Sequence, residues 1–523
     1  MALFLISWIL GTFIIIIISS VTGLYFYLLL NYSYWKKRGI YSLTPKFPFG
    51  NLGETMTLKK PMGETYADIY KNAYGQRFVG IFHLHIPTLV IRDPELIKML
   101  LIKDFSSFHD RGINFVEEVD PLTANLFMLS GIKWENLRRK LVPVFTSGKM
   151  KMMFQSIVDC GHQLREYLEE TASCGDVFDV KDVMAKYTTD VIASCAFGIR
   201  CNCLENPDAE FRKWGKKIFE PTTESSIRNF IIFCLPSIAK FFKLAMVPHD
   251  VTKFFQTAVW ETVKYREENN IQCNDFLQLM IQLKNSGICE AFENEKPTEN
   301  TETKDVCQNL TLLEIAAQAF VFYLGGFETS STTMTFCFYE LALNTDIQNR
   351  LRDEIDNATK KHDGNITYDD IQEMTYLDKV VSETLRKYPP FPLLNRECTK
   401  KFHIPDSDVV IEKGTKIVIP ILGIHRDPEH YAAPDKFDPE RFSTEEKMKR
   451  HHYAYLPFGE GPRVCIGQRF GLMQAKVGIA LILANYELEI CEKTPNPLVF
   501  DPKLFFPTAL NGMWLKIKKR NIT

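Results

Sequence analysis

The stretch Phe458-Gly459-Glu460-Gly461-Pro462-Arg463-Val464-Cys465-Ile466-Gly467 sets a single cysteine in surroundings built to hold something. A thiolate is a strong, soft ligand that needs a positive neighbour or a metal to stay ionised, and Arg463 precedes Cys465 by two residues. Gly459 and Gly461 allow backbone conformations that other residues resist, which aims the sulfur and nearby amides at one point, and Pro462 stiffens the turn. Gly467 leads into the largely apolar stretch Phe470 to Leu483, which reads as a buried helix whose bare start lets a large flat cofactor lie close to the backbone. A lone cysteine is ordinarily an inert packed thiol; its neighbours separate this one from that reading.

Phe458, Gly461, Arg463, Cys465 and Gly467 form the pattern Phe-x-x-Gly-x-Arg-x-Cys-x-Gly, and the stretch resembles the signature of the haem-thiolate monooxygenases, the cytochromes P-450. The resemblance implies haem (heme b, iron protoporphyrin IX) with Cys465 as the axial metal ligand and Phe458, Arg463 and Gly467 around it. Trp134 and Arg138, four apart on one helix face, resemble the family's Trp-x-x-x-Arg helix, which reaches a haem propionate, although such spacing also arises by chance. Arg396 stands where family members supply propionate contacts, and His425 stands at a near-haem position or in a surface turn.

Gly325-Gly326-Phe327-Glu328-Thr329-Ser330 interrupts a long apolar helix expected from about Leu312 to Asn344. Two adjacent glycines cost roughly 1 kcal/mol each against alanine, so either close helix packing or function must compensate. The resemblance identifies the stretch with the oxygen-binding groove, where the helix loosens: Thr329 holds oxygen and a water, and Glu328, an aspartate in many members, relays protons. Glu383 and Arg386 share a helix face, and the resemblance adds Arg441 of Pro439-Glu440-Arg441-Phe442 to make a buried core network. Such a network is structural, whereas an exposed pair is worth little.

The elements that position these residues are mainly α-helical with small β-sheets: the resemblance implies the triangular-prism cytochrome P-450 fold preceded by one N-terminal transmembrane helix. Residues 1–35 carry no Asp, Glu, Lys or Arg and are long and apolar enough to span a bilayer, so they read as a membrane anchor and residues 36–523 as the monooxygenase domain. The stretch is too long for a secretory signal and lacks a clear cleavage site. Lys36, Lys37 and Arg38 place the remainder of the chain on the cytoplasmic side, with Tyr32, Tyr34 and Trp35 as an interfacial belt. Only Pro45, Pro48 and the Phe49-Gly50-Asn51 turn remain of the family's proline-rich hinge, which leaves it softer. Two strands are expected between Phe78 and Arg92, and an exposed linker between Asn285 and Asn309.

Composition excludes little: 46% hydrophobic, 24% charged and a net charge of -2 give no reason to expect nucleic acid. The 13 cysteines lack paired spacing and read as reduced; Cys201 and Cys203 have no second pair or nearby histidine for zinc and read as packing or surface thiols.

The whole-chain resemblance implies insertion of one oxygen atom from O2 into a lipophilic substrate. By the same resemblance, electrons are expected from NADPH through NADPH-cytochrome P-450 reductase, with cytochrome b5 as a further partner, at the endoplasmic reticulum membrane. Arg138, Arg139, Lys140, Lys447, Lys449 and Arg450 offer a basic face for that partner or an ordinary solvated surface. Phe108, Phe115, Phe320, Phe391, Phe505 and Phe506 fall where related enzymes line their pocket, though phenylalanines mostly pack in cores. The microsomal branch it resembles includes insect detoxication and vertebrate drug- and steroid-oxidising enzymes. Xenobiotics such as plant toxins or insecticides are therefore the expected substrates, with an endogenous hormone, steroid or fatty acid as the alternative. A haem-thiolate isomerase or dehydratase fits less well because Thr329 is present, and a haem carrier has no use for Glu328-Thr329. Arg386→Ala should yield little haem-loaded protein, read as haem per chain after purification, because a buried charge left unpaired costs ~3–5 kcal/mol.

Overall fold

Thr311 and Glu314 cap each other reciprocally: Thr311 Oγ1 accepts the Glu314 amide at 3.2 Å, and Glu314 accepts the Thr311 amide at 2.8 Å. From this start the helix Leu312–Leu343 runs through the interior, apolar or small on nearly every face, as a helix buried all round must be. Around it pack the helices Val180–Ile192, His249–Glu268, Thr375–Lys387 and Gln468–Asn485, and their shared side chains form the main core. The computed structural model describes residues 1–113, 115–220, 222–286, 309–362 and 364–520; the expected linker, apart from its ends, lies outside them.

A four-stranded sheet stands at one side, in the order Phe78–His83, Ile86–Ile91, Lys416–Ile419, Leu394–Glu397. Its outer pairs are antiparallel and its central pair parallel, with Val90 opposite Val418 and Arg396 opposite Ile417. The expected strands between Phe78 and Arg92 are therefore its first hairpin. A three-stranded sheet of Val177–Asp179, Trp514–Lys519 and Tyr486–Glu489, and a two-stranded ribbon, complete the β-structure. The fold is mostly helical with small sheets, as the sequence implied.

The N-terminal helix Ala2–Asn31 leaves most of its large apolar side chains exposed, Leu28 being buried, and is long and apolar enough to cross a membrane. Its junction with the domain differs from the sequence reading. Trp35 belongs to no interfacial belt: it is 2% exposed, packed over Gly80, with Nε1 donating to Ile81 O at 2.9 Å. A Cβ at Gly80 would lie 2.4 Å from its ring, so glycine is what admits the indole. Nor is the Phe49-Gly50-Asn51 turn loose. The Asn51 amide donates to Phe82 O at 2.9 Å and its Oδ1 accepts the Phe82 amide at 2.9 Å, which docks the turn on the first strand.

Trp35→Ala in the full chain should lower domain stability by about 3–5 kcal/mol, read as a fall in the thermal midpoint. An unchanged midpoint would return Trp35 to the membrane interface.

Candidate functional site

The cysteine loop is closed by its own backbone. The Cys465 amide donates to Phe458 O at 3.0 Å, and Gly459 (φ 71) and Gly461 (φ 75) take the left-handed conformations that make this return possible. A Cβ on Gly461 would lie 2.1 Å from Leu101 O, so the loop fits against the preceding chain only with glycine there. Phe458 packs on the main core, and Gly467 immediately precedes the helix Gln468–Asn485. Cys465 keeps an exposed surface, yet protein is dense around the sulfur. Burial pushes its thiol up, while the Gly467 amide, Arg138 and Arg111 pull it down. A metal cation on the sulfur would remove the proton outright.

Four arginines converge beside that sulfur. Arg463 is stacked on Trp134 with its guanidinium 4.1 Å from the ring centre, donates to Leu129 O at 2.8 Å, and lies 3.6 Å from Asp110 Oδ1. Arg138, one turn beyond Trp134 on the helix Gly131–Leu141, donates to Val464 O at 2.9 Å. Arg396 comes from the edge strand of the four-stranded sheet and is 1% exposed. Arg111, which no sequence pattern singled out, lies over the Phe127 ring at 4.0 Å. Burial followed by mutual repulsion holds Arg396 well below the usual guanidinium range; Arg463 is lowered to about 9 and Arg111 to about 10, burial again the first cause.

Nε of Arg111, Arg396 and Arg463, and Nη1 of Arg463, are buried without a hydrogen-bond partner. Orphaned guanidinium donors are costly, and a ligand bearing two carboxylates beside a soft metal satisfies them. These residues fit a haem with its propionates among the arginines. Arg111 escaped the sequence reading because it lies in an irregular loop and meets the others only through the fold.

Packed against the helix Gln468–Asn485 that follows the loop, the central helix runs unbroken through Gly325 and Gly326, without the expected loosening. The two glycines divide the roles that sequence left as alternatives. A Cβ on Gly326 would lie 2.6 Å from Ile192, a packing requirement, whereas one on Gly325 would meet open space. Thr329 is half-buried and donates its hydroxyl proton to Gly325 O at 2.5 Å. Glu328 turns the other way. It pairs with Lys181 at 2.8 Å, and the same ammonium donates to Ser331 and Thr332. Burial lowers the Lys181 pKa, and Glu328 opposes that.

Behind the loop, Glu383 receives Arg386 through two bonds of 2.7 and 2.8 Å, both side chains fully buried, and Arg441 Nε approaches at 3.4 Å, too poorly aimed for a hydrogen bond. Arg386 also donates to His425 O at 2.9 Å. His425 is neither a surface histidine nor near the arginines' open donors. Its Nε2 accepts the Leu456 amide at 2.9 Å and its Nδ1 faces Arg386 O at 3.2 Å, which fixes a neutral tautomer supporting the cysteine loop.

The phenylalanines separate into groups. Phe391, Phe505 and Phe506 meet at 5.2–5.6 Å between ring centres, and Phe127 and Phe219, unnoticed in sequence, extend this wall. Phe115 is partly buried against the main core. Phe108 packs edge-on to Phe402 in the core behind the four-stranded sheet, and Phe320 on Phe255, so neither joins the wall. The basic face also thins: Arg138 turns to the cysteine loop, Arg450 lies over Tyr431 and Phe442, and Lys449 pairs with Glu446.

A mainly helical domain whose central helix packs on the helix that follows a cysteine loop, with arginines gathered at that loop, has the architecture of a haem-thiolate oxygenase. The chain belongs to the cytochrome P-450 family, whose model matches residues 42–514. It is 43% identical over 514 residues to a probable cytochrome P-450 6a14 of Drosophila melanogaster, covering 97% of this chain and 99% of that protein. Cytochrome P-450 6k1 of Blattella germanica is 42% identical over 509 residues, 97% of each chain. Cytochrome P-450 6A1 of Musca domestica is 41% identical over 514 residues, 97% of this chain and 98% of that one. The protein is thus a monooxygenase of the oxidoreductase class, and its family implies haem.

His425 gives the site a pH signature. Burial lowers its pKa from 6.5 to about 3. Below 6.5 the unfolded chain takes up a proton that the folded chain refuses, so this stability is complete above 6.5 and falls with pH by up to ~1.4 kcal/mol per unit. His425→Gln, which keeps one acceptor and one donor, should lose less thermal stability between pH 7.5 and 5.5 than the parent. Equal losses would show that His425 does not titrate on unfolding.

Proposed function

We propose that the protein oxidises lipophilic xenobiotics by inserting one atom of O2. It draws electrons from NADPH through a membrane-bound reductase, with cytochrome b5 as a secondary donor, at the cytoplasmic face of the endoplasmic reticulum. The observation that carries this reading is the set of orphaned guanidinium donors beside an exposed cysteine, which asks for a dianionic metal cofactor. In this reading Cys465 would ligate the iron and Arg111, Arg138, Arg396 and Arg463 would hold the propionates, while Trp134 keeps Arg463 in place. The haem, when bound, supplies the oxygen-activating chemistry.

The chain supplies position and protons. Thr329 commits its proton to Gly325 O, so its lone pairs remain to accept a hydrogen bond from water or a protonated ligand on the Gly325 side. Glu328 is held by Lys181, and a proton relay through it begins with release of that ion pair. The aromatic wall of Phe127, Phe219, Phe391, Phe505 and Phe506 offers apolar, flat surface, which suits lipophilic and aromatic substrates. Glu383, Arg386 and Arg441 hold the frame. Lys36, Lys37 and Arg38 come directly after the apolar helix and favour a cytoplasmic domain.

The test is carbon monoxide difference spectroscopy of the reduced protein, then turnover of an alkoxycoumarin in vesicles with reductase and NADPH. The parent should show a thiolate-type band, Cys465→His should lose it, and Arg111→Ala should lower haem per chain. Turnover should need both NADPH and reductase. A haem-loaded parent without the band, or product formed without NADPH, would overturn the reading.

A further inference from the structure

Away from the cysteine loop, Cys201 and Cys203 flank Asn202 in the segment between the helices Val180–Ile192 and Glu210–Phe219. Sequence offered them no companion ligand. The fold supplies one: Asp190, near the end of the first helix, brings a carboxylate oxygen to the two sulfurs, all three donor atoms within 4.8 Å of one another. The left-handed turn at Asn202 (φ 49) folds the loop back on that helix. A tetrahedral zinc ion with Zn–S bonds near 2.3 Å needs donors about 3.5–4 Å apart, within reach of small side-chain rotations.

Asp190 is 3% exposed. Its oxygens accept the Cys203 amide at 2.8 and 3.0 Å, which fixes the carboxylate toward the loop. Among the described residues no lysine or arginine forms an ion pair with it. A buried carboxylate with no countercharge is expensive, and a cation bound between it and two sulfurs supplies that charge. Three protein donors meet here, and a water completes four ligands. Cys201 is half-exposed, and beside the loop opens a cleft of about 210 Å³ lined by Gln163, Glu166, Tyr167, Asn202, Leu204 and Glu205. Its two carboxylates draw cations to the entrance.

We propose that Asp190, Cys201 and Cys203 form a second metal site, separate from the haem, that takes a soft divalent cation such as zinc. Thiolate ligands select zinc over magnesium or calcium. Binding forms two Zn–S bonds and one Zn–O bond and releases the two thiol protons to solvent. It ties the 199–206 segment to the helix that carries Lys181 at its other end, so the expected role is to rigidify that helix.

The test uses full-length, haem-loaded protein stripped with a chelator and dialysed against zinc chloride. Zinc per haem iron is read by elemental analysis and the thermal midpoint is recorded. The parent should retain one zinc per haem and melt higher with zinc. Cys201→Ser/Cys203→Ser should retain none while keeping the parent's carbon monoxide spectrum, and Cys273→Ser should retain the parent's zinc. If the double variant fails to load haem, Cys201→Ser alone, at the half-exposed position, should lose the zinc. Zinc absent from the parent, or kept by the Cys201 variants, overturns the site.

Discussion

Too much positive charge in too little water is the condition around which this molecule is built. Arg111, Arg138, Arg396 and Arg463 come from a loop, a helix, a sheet edge and the cysteine loop; burial works against each of them, and repulsion from neighbouring arginines adds to it at Arg111, Arg396 and Arg463. Helix, sheet and loops must be held in register for such groups to stay together, because each repels the rest. The Glu383-Arg386 pair does part of this work from behind, where two matched charges satisfy each other fully. Arg386 is thus saturated and structural, while Arg111, Arg396 and Arg463 keep donors open.

The central helix shows the same division between support and chemistry on a scale of neighbouring residues. Gly326 serves packing against Ile192, while Gly325 leaves space. Glu328 points to Lys181 and Thr329 to the Gly325 carbonyl, so two adjacent residues face different environments. A helix allows this because successive side chains are about 100° apart. An ion pair on one face and a hydroxyl bonded back to its own helix on the other need no break in the backbone, and none is present.

The sequence was most legible where a function is written in a short run of chain. The cysteine loop, Glu328-Thr329, the paired Trp134 and Arg138, and the early hairpin are local patterns, each readable from spacing alone or by resemblance. Groups assembled from distant segments were not legible. Arg111 joins Arg396 and Arg463 only through a loop whose path no periodicity encodes, and Asp190 meets Cys201 and Cys203 only after the chain turns back at Asn202. Errors in the other direction share a cause. Trp35 and Phe108 have the residue types of an interfacial anchor and a pocket wall, but a large apolar ring fits equally well under a sheet, and Gly80 and Phe402 made that place for them.

The burial of Trp35 also bears on mechanics. The exposed apolar helix ends at Asn31, and Tyr32 already rests on Phe82 with ring centres 5.0 Å apart, so no slack chain separates the two bodies. The helix is joined to the sheet as a shaft is joined to a plate. Any tilt of the shaft in its surroundings is passed to the plate, and with it to the strand Leu394–Glu397 that carries Arg396. The two bodies thus meet through a packed joint of aromatic rings and not through a tether.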